Sequence, residues 1–120
     1  MRRIWIALLA PLLLASTALA RSTYAPGTLD HYFRVDWQPG ADRRGPVVEG
    51  YVINLYSQGA DRMRLSIDQL DAQGRVVGTT ETWVLGGVPP SSRAWFKAPV
   101  PPATSYRVEI LSFDWVSRGP

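Results

Sequence analysis

The 120-residue sequence predicts an all-β fold, an antiparallel β-sandwich of six to seven strands. Three observations predict it. Apolar and polar residues alternate with period two in short runs. Gly, Pro and Asp turn signals separate those runs at close spacing. Beyond the amino-terminal stretch, no long segment sustains a helical period. The ten glycines and ten prolines suit a chain of short strands joined by many turns. The length leaves room for one domain.

Residues 1–20 predict a signal peptide helix. Arg2 and Arg3 form a basic start, Ile4 to Ala15 an apolar run, and Ala18-Leu19-Ala20 the small-x-small pattern before a cleavage point, placed after Ala20. The apolar run carries Pro11 and is shorter than the roughly 20 residues of a spanning helix. A retained membrane anchor or a buried core helix is the alternative. The polar stretch 21–30, with Pro26 and Gly27, reads as a linker, and 31–120 as the domain.

The first strand is expected over Tyr32–Trp37, where Phe33, Val35 and Trp37 alternate with Arg34 and Asp36, and a polar loop over Gln38–Pro46. Val47–Tyr56 is apolar on both faces and predicts a central strand. Over Met63–Asp68 the inner face is Met63, Leu65 and Ile67, with Arg64, Ser66 and Asp68 outward; the phase slips at Gln69-Leu70, which predicts a bulge or a strand end. Asp71-Ala72-Gln73-Gly74 reads as a tight hairpin turn leading into a long strand, Arg75–Leu85, that gives a seventh strand if it splits. Gly86-Gly87 and Pro89-Pro90 break the chain. In the next strand Ala94, Phe96 and Ala98 are expected to face in, and Arg93, Trp95 and Lys97 out. In the last, Ser105–Trp115, Tyr106, Val108 and Ile110 share one face, and Leu111, Phe113 and Trp115 the other. Two packed sheets are the natural solution for this strand number, with a closed barrel as the alternative.

Five segments of the chain carry a resemblance. They are Gly50-Tyr51-Val52-Ile53-Asn54, Arg64-Leu65-Ser66-Ile67, Leu70-Asp71-Ala72-Gln73-Gly74-Arg75-Val76-Val77-Gly78, the Val88-Pro89-Pro90 run leading to Trp95-Phe96, and Ser105-Tyr106-Arg107-Val108-Glu109-Ile110. Their order resembles the FxLYD family of bacterial exported and cell-envelope domains, over about Val47 to Phe113. Gln69-Leu70-Asp71 stands where that family's name would put an aromatic before Asp. The resemblance implies an immunoglobulin-like sandwich acting as a binding or structural accessory domain, and it carries over no catalytic residue.

The residues themselves narrow the chemistry. Without residues 1–20 the chain holds eleven basic and ten acidic side chains, no electrostatic footprint for nucleic acid. There is no Cys, hence no thiol chemistry, no disulfide and no lipid attachment through Cys. The lone His31 beside the linker falls short of a base–nucleophile pair or a zinc ligand set. Asp36, Glu49, Asp68, Glu81 and Glu109 alternate with apolar neighbours and read as solvated outward side chains. No enzyme, metal or cofactor is expected. The expected function is a non-catalytic periplasmic or secreted module contacting an envelope or extracellular protein, with membrane contact only through the signal peptide before cleavage. Arg93, Trp95 and Lys97, with an outward row that includes Phe113 and Trp115, form the candidate binding surface. The alternative is a carbohydrate-binding module that stacks a polysaccharide on Trp95 and Trp115.

Overall fold

The computed structural model describes residues 29–116. The expected signal peptide with its cleavage residues Ala18 and Ala20, and the linker up to residue 28, lie outside the described residues. Six strands follow in order: β1 (Phe33–Asp42), β2 (Gly45–Asn54), β3 (Ala60–Leu70), β4 (Val76–Val84), β5 (Arg93–Pro99) and β6 (Ser105–Trp115). They form two three-stranded antiparallel sheets, β1-β2-β5 and β4-β3-β6, packed as a sandwich. The fourth run stays whole, so there is no seventh strand among the described residues.

The central strands are those with the strongest burial pattern. β2 lies between β1 and β5, as its two apolar faces predicted. β3 lies between β4 and β6, and Met63, Leu65 and Ile67 are fully buried. From the opposite sheet Phe33, Val48, Val52 and Phe96 complete the core. Leu29, within the stretch read as a linker, also packs against that core.

Three expectations are corrected. The loop read over Gln38–Pro46 is a continuation of the first hairpin: β1 pairs with β2 through Pro39↔Val48 to Asp42↔Gly45, leaving only Arg43-Arg44 as the turn. Proline is tolerated there because β1 is an edge strand, where a missing N–H need not cost a ladder bond. The Asp42 carboxylate caps the turn by accepting the Arg44 N–H at 2.9 Å.

Asp68 is not a solvated outward side chain; it is fully buried. It sits mid-sheet between Thr79 of β4 and Arg107 of β6. The Arg107 guanidinium covers it, donating from Nη2 at 2.8 Å and Nε at 3.3 Å, and the Thr79 hydroxyl lies 3.0 Å from Oδ1.

Phe113 and Trp115 do not form an outer row. Phe113 is buried and Trp115 is half-buried against the core. The cause is a bulge in the β3–β6 ladder, where Arg64 pairs with Ser112 and Leu65 with Ile110, leaving Leu111 as the extra residue. One extra residue reverses the side-chain phase. Ile110 and Phe113 therefore both point into the sandwich. Around Trp115 the rings of Tyr32, Phe33, Tyr56 and Phe113 gather at centroid distances of 4.9–5.7 Å.

The Asp71–Gly74 turn follows its sequence reading, and so does the register slip at Gln69/Leu70. Asp71 Oδ1 accepts the N–H groups of Gln73 and Arg75, both at 2.9 Å. The Arg75 N–H is the main reason the Asp71 carboxyl is held below the usual carboxylate range. Gly74 has φ +79° with no atom within 4 Å of a would-be Cβ, so its role is purely conformational. Gly74→Val is expected to cost about 1 kcal/mol in chemical denaturation; an unchanged midpoint would mean that the turn does not require the left-handed conformation.

Candidate functional site

The outward face of the β1-β2-β5 sheet is built by register. Cross-strand pairing sets Asp36 beside Tyr51 and Tyr51 beside Trp95; the flanking rows are Arg34–Ile53–Arg93 and Gln38–Glu49–Lys97. Side chains at such positions stand on one face and meet their cross-strand neighbours. β5 alternates as predicted: Arg93, Trp95 and Lys97 are exposed, Phe96 and Ala98 are buried.

Trp95 is 50% exposed. Its ring meets the edge of Tyr51 at 5.4 Å with the planes 68° apart. The Arg93 guanidinium carbon lies 4.2 Å above the same Tyr51 ring, in cation–π range. Tyr51 is thus held between a cation and an indole, and the three side chains make one aromatic surface that carries a positive charge. Aromatic and arginine side chains of this kind dominate the energetics of protein interfaces.

Lys97 belongs to the same face but is drawn toward the β1–β2 turn. Its Nζ pairs with Asp42 Oδ2 at 3.2 Å. The Asp42 carboxyl lies below the usual carboxylate range, first because it accepts the Arg44 N–H and next because of Lys97. Lys97 therefore borders the aromatic cluster without being part of it. Of the five predicted binding residues, the structure brings Arg93 and Trp95 together, places Lys97 at their margin, buries Phe113 in the core and packs Trp115, half-buried, against it.

Tyr51 was missed in the sequence because the second strand read as apolar on both faces. The signal was present: Glu49, Tyr51 and Ile53 share one phase, and Val48 and Val52 the other.

The opposite sheet offers a smaller counterpart. Trp83 is 53% exposed and lies beside Arg64, whose guanidinium carbon is 5.4 Å from the indole. Glu81 and Glu109 flank Ser66 on this face, but each is paired with an arginine, Arg64 at 3.5 Å and Arg107 at 3.9 Å. No three His, Cys, Asp or Glu side chains converge as metal ligands among the described residues.

Comparison with models of known protein families, with curated proteins and with solved structures finds no match to this chain.

Proposed function

We propose that this chain is a non-catalytic, exported accessory domain of immunoglobulin-like architecture that binds a protein partner through the outward face of the β1-β2-β5 sheet. The observation that carries the binding surface is the Tyr51–Trp95–Arg93 cluster, in which a half-buried Tyr51 supports an exposed indole and an exposed cation on a rigid sheet. Sites placed on sheet strands are held more firmly than sites on loops.

The immunoglobulin-like reading is supported by strand order. With β1 to β6 taken as strands A, B, C, C′, E and F, the two sheets correspond to A-B-E and C′-C-F. Tyr106, at the start of β6, donates its hydroxyl to the Pro101 carbonyl at 2.7 Å. That contact corresponds to the tyrosine corner found before strand F in such domains. Export is supported by the basic start, apolar run and Ala18-x-Ala20 pattern of residues 1–20. The same reading accommodates the FxLYD resemblance.

The test is recovery of partners from a cell-envelope extract on the immobilised wild-type protein and on Trp95→Ala and Tyr51→Ala variants. A partner retained by wild type and lost by both variants, with Trp95→Ala melting within about 0.5 kcal/mol of wild type, is the expected result. A partner set that neither substitution changes would overturn the assignment of this face. Quenching of tryptophan fluorescence by a polysaccharide, abolished in Trp95→Ala, would instead establish sugar binding. The 68° angle between the rings gives a sugar only one stacking plane and argues against that outcome.

A further inference from the structure

We infer that the free edge of β6 pairs with β6 of a second copy of this chain, joining two domains into one continuous six-stranded sheet. The inference is independent of the Tyr51–Trp95 face, which lies on the other sheet.

The sandwich has four sheet edges, and three of them carry features that discourage pairing. β1 contains Pro39, and β5 contains Lys97 and ends in Pro99. Prolines and lysines on an edge are common devices against strand addition. The inward row of β4 runs Val76, Gly78, Thr80, Thr82 and Val84, so its apolar residues stand only at the two ends with little apolar surface between them. β6 has neither Pro nor Lys over its eleven residues. Among the described residues, no strand pairs with its side away from β3.

Next to this edge the two sheets do not close. A groove of about 500 Å³ lies between β1 and β6, lined largely by apolar groups that include Phe33, Val35, Leu55, Val108 and Ile110. An added strand would lay its inward side chains along this groove. Its backbone would supply partners for the outward-facing N–H and C=O groups of β6.

The sequence of the edge identifies the second strand. Around Val108 the strand reads Tyr106-Arg107-Val108-Glu109-Ile110. In an antiparallel pairing centred on Val108, Arg107 stands opposite the other copy's Glu109, and Glu109 opposite the other copy's Arg107. Tyr106 stands opposite Ile110 on the inward face, and Val108 meets itself on the two-fold axis. Both charged side chains are accessible, 43% and 46% exposed; within one copy Arg107 already pairs with Asp68 at 2.8 Å and lies 3.9 Å from Glu109, so the cross-axis contact adds a second copy's carboxylate to a guanidinium that stays on Asp68. An isologous contact requires a patch complementary to itself, and this five-residue run is. Opposite charges directly across an antiparallel pair favour that register, and like charges oppose it.

The test is sedimentation of the protein purified from cells expressing the full chain, over a dilution series in the micromolar range. A reversible dimer is expected. Glu109→Arg, which sets four cations across the axis, should raise the dimer dissociation constant about tenfold or more. Because Glu109 is accessible, its replacement leaves the circular dichroism spectrum unchanged. Hydrogen exchange supplies the second measurement: amides within 105–111 should gain protection as concentration rises. Trp95→Ala should dimerise as wild type does, which separates this interface from the partner-binding face. A monomer at every concentration overturns the inference, and so does a dimer indifferent to Glu109→Arg. Concentration-independent protection of the β6 edge in a monomer would assign that edge to another segment of the same chain and also overturn it.

Discussion

Gly50→Ala is expected to destabilise the domain by about 3 kcal/mol or more, the severe end of overpacking effects, and to lower thermal melting by roughly 10 °C or more. Gly50 lies in the middle of β2, opposite Trp37. A Cβ there would collide with the Asp36 carbonyl oxygen and come within 2.6 Å of Trp37 Cα and 2.9 Å of the Asp36 carbonyl carbon. These are backbone atoms, and no rotamer change can move them aside. The β1 main chain would have to lift off β2 and take Phe33, Val35 and Trp37 with it. Glycine in a strand interior commonly marks such a close approach of backbones. Gly40→Ala is the internal control, in the same pair of strands. Its Cβ would find only side-chain atoms at 3.6 and 3.7 Å, ordinary contact distances. It is expected to melt within about 0.5 kcal/mol of wild type. Equal effects of the two substitutions would refute the close approach.

Asn54→Ala is expected to cost about 2–3 kcal/mol in urea denaturation, from buried hydrogen-bonding groups left without their partner. Asn54 ends β2 and is 1% exposed. Its Nδ2 donates to the Gln58 carbonyl at 2.8 Å and the Val88 carbonyl at 3.3 Å; its Oδ1 accepts the Tyr56 N–H at 2.9 Å. One side chain thereby fixes the 55–59 turn and ties it to the strand-breaking segment at Val88. Asn54→Asp preserves the acceptor for Tyr56 but turns a carboxylate oxygen toward two carbonyls. It should be at least as damaging at neutral pH and milder in acid, where the carboxyl is protonated and can donate. A wild-type denaturation midpoint in Asn54→Ala would show that water replaces the amide at no cost.

The two substitutions also explain why part of this fold could be read from its sequence. Gly50-Tyr51-Val52-Ile53-Asn54 is the start of the family-like pattern, and three of its five residues have distinct physical duties: backbone clearance, core filling and turn anchoring. The period-two burial of Met63, Leu65 and Ile67, and of Phe96 and Ala98, was legible because one face of each strand meets the core. The Asp71–Gly74 turn was legible because Asp and Gly act locally there. The errors arose where a distant neighbour decides the outcome. Pro39-Gly40 resembles a turn, and only the edge position of β1 lets the ladder continue through it. Asp68 has the phase of an outward residue, but Arg107, 39 positions away, covers it. Phe113 and Trp115 have the phase of an outer row, but a bulge set by pairing with β3 turns them inward. Of the candidate surface, the β5 alternation exposed Arg93 and Trp95 to view. Tyr51 became visible only with the register that sets it beside Trp95.

The ring cluster around Trp115 has a consequence for when the chain can mature. Tyr32 and Phe33 come early, Tyr56 in the middle, and Phe113 and Trp115 close to the end of the last strand. β5, likewise, must return to β2 across the 38 residues, 55–92, that separate the two strands. Both short hairpins, β1–β2 and β3–β4, can form from neighbours alone, but neither has a lid until the final two strands arrive. Contacts between distant positions are slow to assemble. A growing chain therefore stays open until its far end is available, and then consolidates in a single late step.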